Sequence, residues 1–179
     1  LKKKLNKLNK KTKYNIIKKL INTINFLHKC NPPIIFRDLK PDNIMIDENN
    51  DLKLIDFGLA RYMPESDNFK MTGNTGNYRY MCPEVFLNKN YNLKADIYSL
   101  GLIIYYIITD EPPFFDYSLK NLKDYFHNDK SFNLYLISNK KIRLILKNCL
   151  EKNDEFRCDI NYLIDNINNF NYKFSCLCF

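Results

Sequence analysis

Residues 36–47 read FRDLKPDNIMID, and residues 52–58 read LKLIDFG. The runs IIF (34–36) and IMID (44–47) are short and built of β-type residues, LKLID (52–56) alternates, and a polar interval containing Pro41 separates the first two. That pattern predicts short strands joined by loops. Asp38, Lys40 and Asn43 then fall in the first loop, and Asp56 lies eighteen positions beyond Asp38, followed directly by Phe57 and Gly58. Two carboxylates, an amide and an ammonium group at fixed offsets around short strands mark this region as the seat of any chemistry.

Outside it the chain is helical by pattern. From Tyr14 to Cys30, the residues Ile17, Leu20, Ile21, Ile24 and Leu27 share one helix face, and Asn31-Pro32-Pro33 ends the run. The segment IYSLGLIIYYII (97–108) is apolar nearly all round. It is well short of the about 20 residues that cross a bilayer, so it reads as a buried core helix. Helical spacing returns at Ile142, Ile145, Leu146, Cys149 and Leu150, and again at Ile160, Leu163, Ile164 and Ile167. Residues 57–83 hold three of the four glycines without helical periodicity, which predicts a long functional loop. Residues 114–136 are aromatic-rich with weak periodicity, and the tail YKFSCLCF has no readable pattern.

A chain of 179 residues with 45% hydrophobic content is large enough for one domain with a sizeable core. The formal charge is +8, yet residues 1–29 alone carry ten lysines and no acid, which leaves −2 for everything after them. No aromatic precedes Tyr14 and no arginine precedes Arg37, so the basic run reads as a solvated helix face. Neither a nucleic-acid nor a membrane partner is expected. The six cysteines (Cys30, Cys82, Cys149, Cys158, Cys176 and Cys178) form no C-x-x-C pair and only two histidines are present, so zinc is not expected. No apolar leader segment heads the chain, which points to a reducing, cytoplasmic setting. Abundant Asn, Lys and Ile read as an AT-rich coding bias, so only fixed spacings carry weight.

Transfer of a γ-phosphoryl group needs little covalent help from a protein. It needs metal ions held by carboxylate and amide oxygens, and a group that positions the attacking hydroxyl. RDLKPDN (37–43) with DFG (56–58) resembles the catalytic and metal-binding loops of the eukaryotic protein kinases. The resemblance continues in order. TGNTGNYRYMCPEVF (72–86) is similar to the end of the kinase activation segment, KADIYSLGLIIYYIIT (94–109) to the central helix of the large lobe, and CLEKNDEFR (149–157) to the segment whose Arg pairs with the Glu that closes the activation segment. LHKCNPPIIFRDLKPDN (27–43) resembles the tyrosine-kinase-like group of serine/threonine kinases.

The resemblance implies a fold and a set of roles. The fold is mostly α with short β-hairpins, a protein-kinase-like C-terminal lobe lacking the small β-rich lobe, with a catalytic loop at 36–43 and an activation segment at 56–84 of a partial domain spanning 1–179. Asp38 would orient the substrate hydroxyl and accept its proton, Lys40 would steady the transferred phosphate, and Asn43 and Asp56 would hold Mg²⁺ with ATP. Gly58 completes the metal-loop turn. Asp96 would tether the backbone of the catalytic loop, and Glu84 would pair with Arg157. Phosphate on Thr72 or Thr75, with Ser66 a weaker candidate, would dock on Arg37. Lys40 is the form found in serine/threonine kinases, so the implied partner is a protein with a Ser or Thr acceptor.

The chain departs from the family pattern at several positions. Phe36 stands where His is usual and would keep packing area but lose a hydrogen bond worth about 1 kcal/mol. Asn77 replaces the usual Thr or Ser, Cys82 the usual Ala, and Cys158 the usual Pro. No Gly-rich phosphate loop, strand Lys or partner Glu precedes the first helix, so a small lobe would come from upstream sequence if it exists. The alternative is an inactive truncated lobe or pseudokinase that binds other proteins. A small-molecule phosphotransferase is disfavoured by the long segment ending in Pro83-Glu84.

Overall fold

The computed structural model describes residues 1, 5, 8–63, 78–128 and 130–168. Helix α1 (Lys10–His28) opens the fold: the Asn9 side chain caps it by accepting from Thr12 N at 2.9 Å, and Ile17, Leu20, Ile21, Ile24 and Leu27 are all buried. It packs against α3 (Lys94–Thr109) and α6 (Ile160–Asn168). The basic face of α1 is tied to the rest of the molecule by Lys13 on Asp110 at 2.6 Å and Lys19 on Asp51 at 2.5 Å.

Two small antiparallel sheets follow. β2 (Ile44–Ile46) and β3 (Leu52–Leu54) form a hairpin with Met45 opposite Lys53. Its turn is closed by the Asp47 carboxylate, which accepts from the backbone of Asn49 and Asp51, with Asn50 left-handed at φ 60°. β1 (Ile34–Ile35) pairs instead with β4 (Arg61–Tyr62), Ile34 opposite Tyr62. Residues 57–83 are therefore not one continuous loop: β4 lies within them, and so does a 3₁₀ turn at Tyr78–Tyr80. A two-residue strand shows no alternation in sequence, and its pairing with β1 is a tertiary event.

Helix α2 (Pro83–Phe86) begins with Pro at its first position. α3 is buried along almost its whole length, from Ala95 to Ile107, and Gly101 lets α5 (Lys140–Cys149) come close: a Cβ on Gly101 would lie 2.7 Å from that of Cys149. The aromatic stretch contains helix α4 (Leu119–His127), capped by Ser118, which buries Leu122, Tyr125 and Phe126. Phe114 packs edge-on or tilted against Tyr117, Tyr125, Phe126 and Phe132. The result is mostly helical with two small antiparallel sheets, compatible with a kinase-like fold.

Candidate active site

The loop between β1 and β2 is fixed from behind by α3. Asp96, in the first turn of that helix and 1% exposed, accepts from Phe36 N at 2.8 Å and from Arg37 N at 2.9 Å. His28 Nε2 lies 3.0 Å from the same carboxylate, so the end of α1 joins the knot. Arg37 has a left-handed backbone, φ 68°, costing of order 1–3 kcal/mol for such a residue. The two bonds to Asp96 over-determine that conformation. The Arg37 side chain donates to Leu59 O through Nε and to the Tyr91 hydroxyl at 2.7 Å through Nη1.

Asp38 leaves this anchored turn. Its Oδ2 accepts from Lys40 Nζ at 2.6 Å and from Asn43 Nδ2 at 2.8 Å, and its carbonyl accepts from the same Asn43 amide at 2.9 Å. Asn43 is buried at the end of the Pro41–Asn43 turn, and its carbonyl accepts from Ile55 N at 3.0 Å. That bond joins the loop to the strand leading into Asp56. Among the described residues nothing donates to Asp38 Oδ1 or to Asn43 Oδ1. The loop thus presents one carboxylate oxygen and one amide oxygen that meet no donor among the described residues.

Asp56 is exposed and left-handed at φ 63°, and its Oδ1 lies 3.2 Å from Gly58 N, which donates to it. A Cβ on Gly58 would sit 3.1 Å from that oxygen, so the turn is tight against its own carboxylate. Phe57, 49% exposed, meets the fully buried Phe36 edge to face with ring centroids 5.1 Å apart. Phe36 therefore packs on the 56–58 turn through its ring and hangs on Asp96 through its backbone.

Glu84 and Arg157 meet in the core below. Arg157, 1% exposed, donates from Nη1 and Nη2 to the two carboxylate oxygens at 2.5 and 2.9 Å. Its remaining N–H groups reach the carbonyls of Glu151, Lys94 and Lys152, and its guanidinium lies 5.0 Å from the Tyr98 ring. Burial works against the charge, but the bonds to Glu84 outweigh it and raise the Arg157 pKa above its ordinary value. Cys82, beside this pair, is pushed well above the usual thiol value by burial and then by the Glu84 charge.

The site thus brings together Arg37, Asp38, Lys40, Asn43 and Asp96, with Phe36 bridging to the Asp56 turn. Ser66, Thr72, Thr75 and Asn77 lie outside the described residues. Sequence spacing gave no signal for Leu59 and Tyr91 as holders of Arg37, nor for His28 on Asp96: each is a contact between distant segments made by a residue with no motif around it.

The comparisons with known proteins agree with this architecture. A family model described as the protein kinase domain matches residues 1–167. The serine/threonine-protein kinase ppk34 of Schizosaccharomyces pombe is 35% identical over 150 residues, covering 82% of this chain and 41% of the relative. The serine/threonine-protein kinase VIK of Arabidopsis thaliana is 44% identical over 94 residues, 50% of this chain and 22% of its own. The G2-specific protein kinase nim-1 of Neurospora crassa is 37% identical over 132 residues, 74% of this chain and 15% of its own. The chain spans less than half the length of each of these relatives. With a domain model matched over nearly all of its length, the chain belongs to the protein kinase family.

Proposed function

We propose that this chain is the large lobe of a serine/threonine protein kinase, which transfers the γ-phosphoryl group of ATP to hydroxyls of protein substrates. The observation that carries the reading is the state of Asp38. One of its carboxylate oxygens is fixed by Lys40 and Asn43, and the other meets no donor among the described residues. A carboxylate clamped in this way can accept a hydrogen bond from an incoming hydroxyl without reorganising. Lys40 lies close enough to Asp38 to accompany a phosphate approaching that hydroxyl.

Asn43 and Asp56 fit a Mg²⁺ ion by their chemistry. An amide oxygen that meets no donor among the described residues and an exposed carboxylate are hard donors, and a small protein share suits a cation that keeps waters and substrate phosphates in its shell. When bound, such an ion neutralises charge on the phosphate oxygens. The chain's own contribution is positional. Asp96 and His28 hold the loop, Asn43 holds Asp38, and Phe36 sets the Asp56 turn against both. The Cys-Asn-Pro-Pro run at 30–33 supports placing the chain near the tyrosine-kinase-like group.

The test is phosphoryl transfer from Mg·ATP to a mixed protein substrate by the full-length protein that carries this segment. Asp38→Asn, which keeps the shape and removes the charge, is expected to lower the rate by about 10²–10⁴. Transfer undiminished in that variant overturns the proposal. A second reading, a lobe that binds proteins without catalysis, draws support from Met45, Phe57 and Tyr62. These apolar side chains are 54%, 49% and 65% exposed on the elements around the site. In the first reading a small lobe encoded upstream packs there. In the second a partner protein does, and transfer is absent with Asp38 intact.

A further inference from the structure

Cys149 ends α5 and Cys158 precedes α6, and their sulfurs lie 3.7 Å apart. The backbone supports this approach: Cys158 N donates to Asn148 O at 3.2 Å, so the two stretches run side by side. The two thiols differ in access. Cys149 is fully buried with its Cβ against Gly101, whereas Cys158 is part-exposed in the turn before α6. Their mutual hydrogen bond holds Cys158 below the ordinary thiol value, with Arg157 and Lys94 assisting and burial and Asp159 opposing. The same bond, with burial added, pushes Cys149 well above it. The segment between them carries Arg157, whose guanidinium bonds Glu151 O and Lys152 O before reaching Glu84.

We propose that Cys149 and Cys158 are a peroxide-oxidisable dithiol, a modification site whose disulfide staples the Arg157 segment closed. The Cys158 thiolate attacks one oxygen of hydrogen peroxide; the O–O bond breaks, an S–O bond forms, and the departing hydroxide takes a proton to become water. Cys149 sulfur then attacks the Cys158 sulfenic acid. The S–S bond forms, the S–O bond breaks, and the hydroxide leaves as a second water with the Cys149 proton. Two thiols are oxidised by two electrons in total, and one peroxide is reduced by two. The sulfurs have to close from 3.7 Å to about 2.05 Å. Rotation of the part-exposed Cys158 supplies that movement, because Cys149 is clamped against α3. The bond closes a ten-residue ring, 149–158, with Arg157 inside it. Oxidation therefore tightens the base of the Glu84 anchor.

The experiment treats the reduced full chain with hydrogen peroxide, alkylates the remaining thiols and digests without reduction. Trypsin cuts after Lys147, Lys152 and Arg157, so Cys149 and Cys158 leave on separate peptides, 148–152 and 158–173. A joined pair of these peptides is the expected result, together with a melting temperature raised by roughly 5–10 °C in the oxidised chain. Cys158→Ser is expected to lose both effects and leave Cys149 unmodified, while Cys149→Ala, which also removes the hydrogen bond that favours the Cys158 thiolate, leaves a more slowly formed Cys158 sulfenic acid that a dimedone label captures. The wild-type cross-link carries the test if either variant fails to fold. Recovery of both cysteines alkylated, of Cys158 joined to another cysteine, or of Cys158 over-oxidised without a cross-link overturns the site. A cross-linked chain that melts no higher overturns the stapling.

Discussion

Arg157 places all five of its N–H donors on protein oxygens, two of them on Glu84, in a region where water does not reach. The geometry repays burial only while both partners are present. Arg157→Met is therefore expected to destabilise by about 3–5 kcal/mol, and adding Glu84→Leu to recover most of that, as read from urea unfolding of the single and double variants. Phe36 works at a smaller scale. Phe36→Leu stays apolar but gives up ring volume and the edge-to-face contact with Phe57, and it is expected to cost about 1 kcal/mol in the same assay. Asp38, Asn43, Asp56, Glu84 and Arg157 were legible as candidates through the resemblance of the motifs around them to the protein kinases. Contacts such as Tyr91 on Arg37 were not, because a hydroxyl 54 positions away leaves no trace in local pattern.

Among elements, the helices that bury a regular face were the legible ones. α1, α5 and α6 each follow a run of apolar residues at helical spacing, α3 follows a run that is apolar nearly all round, and the described bounds match those runs to within a few residues. α4 was hidden although its signal is present: Ser118 caps it and Leu122, Tyr125 and Phe126 fall at i, i+3 and i+4. Aromatics on both sides of it, Phe114, Tyr117 and Phe132, blurred the periodicity because they pack into one cluster from loops as well as from the helix. The α3–α5 contact is where an element is most easily tested. Gly101→Ala puts a methyl 2.7 Å from Cys149 Cβ, which cannot yield without moving α5, and 3.1 Å from the more adaptable Leu150 Cδ2. A loss of about 1–3 kcal/mol is expected from thermal or denaturant unfolding.

At the scale of the whole molecule, the core holds several weak acids in their neutral forms. Burial raises the pKa of Tyr80, Tyr98, Tyr125 and Cys82 above the ordinary values of 10.0 and 9.0. Each folded-state value exceeds its unfolded one, so the stability these groups contribute is complete below the unfolded value and is lost as pH rises past it. Melting temperature is expected to hold through neutral pH, to begin falling near pH 9 as unfolded thiols ionise, and to fall faster above pH 10; thermal melts across pH 7–11 check this. The opposite end of the pH scale brings a consequence of Phe36. A histidine at that position would gain charge near pH 6.5 and change the contact between the 36–43 loop and the Asp56 turn on acidification. Phe36 and Phe57 meet as two hydrocarbon rings, so this ring contact itself has no proton to take up.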